Sequence, residues 1–199
     1  MKNIYLIGDS IRFGAYIGKK TSPGYGIYVK EKLKGEANVY APDENCRFAQ
    51  DTLRYLHEWT SSIPKEEIDV VHWNNGLWDV LRLFGDEPFT EINYYGETLK
   101  RIHKRIKLLF PNATIVFALS TSVKEEWARK DFLRYNSDIE LYNNKAMEVL
   151  SPLGVTFNDL YSITKAFDDS LRSDGVHYGE EGSKILADAV IKKIFEIIE

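Results

Sequence analysis

The sequence predicts an α/β protein, a three-layer α/β/α sandwich around a five-stranded parallel sheet. Three observations lead there. Short apolar runs alternate with amphipathic stretches along all 199 residues, the pattern of successive βαβ units. The apolar runs are continuous rather than alternating, as strands covered on both faces are. The composition, 44% hydrophobic and 28% charged with one cysteine, is that of a globular chain that folds on its core and not on disulfides. At roughly 150 residues per domain the length predicts a single domain over 1–199.

Asn3 to Ile7 is an apolar run stopped by Gly8 and reads as the first strand. Gly24 to Lys34, after Pro23, has helical spacing. Ala37 to Ala41 is a second strand, ended by Pro42. Ala49 to Trp59 is an amphipathic helix with Leu53, Leu56 and Trp59 on one face. Ile68 to Trp73 is the third strand. Asn93 to Phe110 is a long helix with Leu99, Ile102, Ile106 and Leu109 inward, closed by Pro111. Ala113 to Leu119 is the fourth and most apolar strand. Asp138 to Leu150 is a helix ending before Pro152, Val155 to Asn158 the fifth strand, and Glu180 to Ile198 the last helix. The order is flavodoxin-like, and right-handed crossovers put the loops after the strands at one rim. Two long loops remain, Leu77 to Thr90 and Thr121 to Ser137.

The charge is −4, from 26 Lys and Arg against 30 Asp and Glu. That balance argues against nucleic acid or an anionic membrane as the main partner. The basic run Lys100 to Lys107 reads as a solvated helix face. No stretch reaches the roughly 20 apolar residues of a membrane span. The opening MKNIYLIGDS is too short in its apolar part for a signal-peptide core, so a cytoplasmic location is expected. With one cysteine, Cys46, there is no cysteine-rich zinc site, and no metal is expected.

Gly8-Asp9-Ser10 follows the first strand. A serine at such a turn has an exposed hydroxyl with backbone N–H groups nearby, as an attacking serine needs. A turn with a helix cap accounts for the same tripeptide. A serine nucleophile needs a base, and there are four histidines. His57 and His103 fall within helices, and His72 inside the third strand reads as a hydrogen-bonded core residue. His177 sits in a glycine-containing loop, three residues after Asp174, where a turn at Gly175 brings the carboxylate to the ring. Ser10 and the Asp174/His177 pair lie at the same rim of a doubly wound sheet. No Gly-x-Ser-x-Gly elbow is present.

With Gly8-Asp9-Ser10 near one end and DGVHYGEEGSKILADAV near the other, the chain resembles the SGNH (GDSL) hydrolase family of esterases and acylhydrolases. The resemblance implies Ser10 as nucleophile, His177 as base and Asp174 as its orienting partner. The middle blocks depart from the family pattern. Glu44-Asn45-Cys46-Arg47-Phe48-Ala49 lacks the usual glycine, and a backbone N–H of Cys46 or Arg47 is expected in its place in the oxyanion hole, beside that of Ser10. In Asn74-Asn75-Gly76-Leu77-Trp78-Asp79 a tryptophan stands where the oxyanion asparagine is expected. The stretch looks like a branch with asparagine two before the glycine, which makes Asn74 the first candidate donor and Asn75 the second.

Arg47 and Trp78 are the expected substrate contacts, with Trp73 and Trp127 as further aromatic surface. Arg134-Tyr135-Asn136 reads as the entry to a helix. The resemblance implies a small-molecule acyl ester as substrate and no cofactor. An acetyl or other short-chain ester on a carbohydrate is the leading expectation, beside lipid and thioester acyl donors. Three other readings stay open: a binding domain holding a ligand at the Asp9-Ser10 loop, a phosphohydrolase with Asp9 as nucleophile, and a catalytically lapsed member that binds an acylated ligand. The second lacks a carboxylate two residues after Asp9, where Ile11 stands.

Overall fold

A computed structural model describes residues 1–17 and 20–198. β1 (Lys2–Ile7) turns through Gly8 into a single helical turn, α1 (Ser10–Phe13). A hairpin of β2 (Gly14–Ile17) and β3 (Lys20–Pro23) precedes α2 (Tyr25–Lys32). Next come β4 (Ala37–Tyr40), α3 (Ala49–Trp59) and β5 (Val70–Trp73). β6 (Arg82–Leu83) lies in the loop before α4 (Ile92–Leu109). β7 (Thr114–Ala118) is followed by β8 (Phe132–Leu133) and α5 (Asn136–Leu150). β9 (Thr156–Asn158), α6 (Leu160–Lys165) and α7 (Glu180–Ile198) complete the chain.

The main sheet has five parallel strands in the order β4-β1-β5-β7-β9. Among themselves those strands run second, first, third, fourth, fifth, the flavodoxin order, in which the chain reverses direction across the sheet beside β1. α2 packs on α7, while α3 packs on α4 and α4 on α5, so helices form two layers. The fold class expected from the alternation is the one observed.

Burial explains the continuous apolar strands. Ile4, Tyr5, Leu6 and Ile7 of β1 are fully buried, as are Val70, Val71 and Trp73 of β5. Each such aliphatic side chain contributes roughly 1.5–3 kcal/mol relative to exposure. α4 buries Leu99, Ile102 and Ile106, three or four residues apart. Glu91 caps it by accepting from the N–H groups of Asn93 and Tyr94. α3 has no side-chain cap of its own at Phe48. The Asp79 carboxylate, from the loop after β5, instead accepts its Ala49 N–H at 3.3 Å.

His72 is fully buried in β5, with Nε2 3.2 Å from the Asn158 amide nitrogen. Burial pushes its pKa down to about 3, so the ring is neutral. This agrees with its reading as a core histidine. His57 is exposed on α3.

The structure adds elements that periodicity did not show. α1, each strand of the β2–β3 hairpin and α6 span four to six residues, too short for a hydrophobic period. The two long loops are joined to each other: Arg82 pairs with Leu133 and Leu83 with Phe132. Among the described residues no helix is long and apolar enough to cross a membrane.

Candidate active site

The site is built from loops at the carboxyl ends of β1, β5 and β7 and from the loop before α7. Asp9 caps α1, its Oδ1 accepting from the Ile11 N–H at 2.9 Å. Ser10 therefore opens the helical turn, and its own N–H has no partner among the described residues. Below it the buried Arg12 donates to the carbonyls of Gly8, Pro42 and Glu44 at 2.6–3.3 Å. This guanidinium ties the loop after β4 to the loop after β1. Gly8 makes room for it, since a Cβ there would stand 2.8 Å from the Arg12 Cβ.

His177 is held by a short loop that closes on itself, with the Ser173 N–H donating to the His177 carbonyl at 2.9 Å. Asp174 Oδ1 accepts from the backbone N–H groups of Val176 and His177 at 2.7 and 2.6 Å. Its Oδ2 lies 2.9 Å from His177 Nδ1, and His177 Nε2 lies 2.8 Å from Ser10 Oγ. Burial alone would raise the Asp174 pKa, but the bonds and charge of His177 and the two N–H groups outweigh it and hold the carboxyl at about 2. The loop is pinned from outside as well. Arg172 donates to Ser122 Oγ and to the Thr164 carbonyl, both at 2.9 Å. The Lys124 N–H donates to the Gly175 carbonyl at 2.7 Å.

The expected oxyanion donors separate. The Asn74 side chain donates to the Ala118 carbonyl at 2.9 Å, and its second amide proton has no partner among the described residues. Asn75 is fully buried and fully engaged. It accepts from Trp73 Nε1 at 2.6 Å and donates to the Arg47 carbonyl and Thr52 Oγ1 at 3.2 and 3.0 Å. The Cys46 N–H donates to the Gly8 carbonyl at 3.2 Å, and the Arg47 N–H to Asn45 Oδ1 at 2.9 Å. These placements differ from the expectation, because neither N–H is free and the Asn75 amide is spent on packing. The Cys46 thiol is buried, which pushes its pKa up and keeps it protonated.

A cleft of about 470 Å³ opens beside the Ser10–His177 pair. Trp78 and Trp127 line it, as does Phe132 of β8, whereas Arg47 and Trp73 do not. Trp73 is instead core, edge-on to Phe117 at 4.9 Å. Arg134, read from sequence as a helix entry, also faces this cleft. No periodicity marks it, because its position follows from the pairing of β6 with β8. Among the described residues, no three His, Cys, Asp or Glu side chains gather as a metal-binding group.

No family model matches the chain. It is 25% identical over 197 residues to a GDSL esterase/lipase of Arabidopsis thaliana, CPRD49, covering 87% of this chain and 72% of that protein. Among solved structures it is similar to the lipase/acylhydrolase from Enterococcus faecalis, at TM-score 0.75 and 21% identity over 98% of this chain and 95% of the other. It is likewise similar to a carbohydrate esterase family 3 protein from Talaromyces cellulolyticus, at TM-score 0.72 and 16% identity over 100% and 98% of the two chains. The sequence likeness and the shared fold agree with the blocks around Ser10 and His177: the chain is similar to GDSL esterases and lipases, in sequence to a curated relative and in fold to solved structures.

Proposed function

We propose that Ser10, His177 and Asp174 act as a nucleophile, general base and orienting carboxylate in ester hydrolysis. The unbroken chain of contacts from Ser10 Oγ through the imidazole to Asp174 Oδ2 carries this reading. Ser10 Oγ attacks the acyl carbonyl while His177 Nε2 takes its proton. Asp174 fixes the tautomer with the proton on Nδ1 and stabilises the imidazolium that forms. The Ser10 N–H and the second amide proton of Asn74 supply the oxyanion hole. His177 then returns the proton to the leaving alcohol. A water, activated by the same imidazole, releases the acid and frees the serine.

The substrate we infer is an acetyl or other short-chain ester, with a carbohydrate as its alcohol part. The modest cleft and its tryptophan faces support this choice, as does the likeness to a carbohydrate esterase. Labelling with a fluorophosphonate followed by peptide mapping tests the nucleophile. Modification at Ser10 is the expected result. A folded protein that takes no label would leave a ligand-binding relative in place of an enzyme.

A further inference from the structure

Arg134 places a guanidinium in the wall of the cleft, and the protein uses less than half of it. The residue is 4% exposed. Its Nε donates to the Leu77 carbonyl. Its two Nη atoms make no hydrogen bond and no ion pair among the described residues, and they are not sealed from the cleft. The group packs against two aromatic rings that meet edge to face, its carbon 5.6 Å from the Trp78 ring centre and 5.0 Å from that of Phe132. Burial lowers its pKa to about 10, which still leaves it charged at neutral pH. The carboxylates that act on it are Asp9 and Asp174. Asp9 caps α1 through Oδ1, its buried Oδ2 makes no hydrogen bond to Arg134 or to any other described donor, and Asp174 is committed to His177.

A buried cation without a hydrogen-bonded counter-charge is costly, and removal from water is repaid only when an anion with good geometry joins it. The free edge of a guanidinium presents parallel N–H donors that match a carboxylate. The Nε bond to the Leu77 carbonyl and packing against the two rings restrict the group's freedom and so lower the ordering cost on binding. A merely structural arginine would direct these donors at carbonyls, as Arg12 does with three of them.

We propose that Arg134 is a specificity-determining residue that binds a carboxylate carried by the ester substrate, within a few atoms of the carbonyl presented to Ser10. This deepens the hydrolase reading above and rests on it. The carboxylate belongs either to a dicarboxylic acyl group or to the alcohol part, and one experiment separates the two. Hydrolysis of 4-nitrophenyl acetate, 4-nitrophenyl hemisuccinate and 4-acetoxybenzoate is compared in the wild type, Arg134→Gln and Arg134→Lys. The expected result is a fall of about 10–100-fold in the ratio of kcat/KM for one anionic ester over the neutral one in Arg134→Gln. Arg134→Lys, which keeps the charge and loses the fork, should fall less. An unchanged ratio with equal losses on all three esters would overturn the proposal and assign the arginine to the oxyanion.

A second measurement needs no turnover. Benzoate should bind the wild-type protein, followed by tryptophan fluorescence, at least about tenfold more tightly than it binds Arg134→Gln, whereas benzamide should bind both alike. Equal benzoate affinities would overturn the proposal. Ser10→Ala is run alongside. Neutral-ester hydrolysis that survives in it strikes the triad and leaves the benzoate result standing, so the two failures are told apart.

Discussion

His177 Nε2 lies 2.8 Å from Ser10 Oγ although 167 positions separate them in the chain. The contact is made by two loops that the sheet brings to one rim, and each is held by bonds unrelated to the other. Arg12 and Asp9 fix the serine side. Arg172 and the paired backbone of Ser173 and His177 fix the histidine side. Two independently held groups meet with little freedom left to lose, which is the condition for efficient proton transfer.

Ser10→Ala should fold as the wild type does and lose about 10⁴–10⁶ in kcat on 4-nitrophenyl acetate. The side chain is small, and among the described residues its hydroxyl hydrogen-bonds to His177 alone. A loss of less than tenfold would move the nucleophile elsewhere.

Asp174→Asn should lower kcat by about 10⁴, because an amide no longer selects the tautomer with the proton on Nδ1. Stability supplies a second signature. The folded carboxyl sits at about 2, below roughly 3.9 for an unfolded aspartate. Its ionised form therefore favours the folded state above that unfolded value, and the contribution is lost as pH falls from about 4 to about 2. Thermal melts of wild type and Asp174→Asn should converge across that window.

Asn74→Ala and Asn75→Ala should part in kind. Loss of one oxyanion donor costs about 10²–10³ in kcat, so Asn74→Ala should lower kcat far more than it raises KM. Asn75 joins the end of β5 to the loop before α3 through Arg47 and to α3 itself through Thr52, and it also accepts from Trp73. Asn75→Ala should instead lower stability by about 1–3 kcal/mol, read by denaturant unfolding, since it strips partners from buried groups. The reverse pattern would exchange their roles.

Asp79 is fully buried, accepts from Thr90 Oγ1 at 2.9 Å and has its pKa pushed up to about 7 by burial. The folded state thus holds this proton more tightly than the unfolded chain does. Its contribution to stability is present below roughly pH 4 and declines as pH rises towards 7. Asp79→Asn keeps an acceptor for Thr90 and removes the titration. The variant should show a flatter stability profile between about pH 4 and 7 than the wild type.

The five sheet strands and the five helices of eight or more residues were legible in the sequence, the helices through spacing and the strands through apolar runs and the turn residues that bound them. Val70 to Trp73 and 115 to 118 are buried on both faces, and their composition says so. Ser10, Asp174 and His177 stood out through residue type and position in the strand order, both local properties. The oxyanion side was not legible. Whether the N–H of Cys46 is free depends on Gly8, 38 positions away in the chain, and whether the Asn75 amide is free depends on Thr52 and Arg47. Arg134 became part of the cleft only when β8 paired with β6. Hydrogen-bond donors are shared out after the backbone has closed on itself. The sequence by itself determined which residue types stand at the rim and in which order, while the tertiary structure alone decided which of their donors remain unspent and face a substrate.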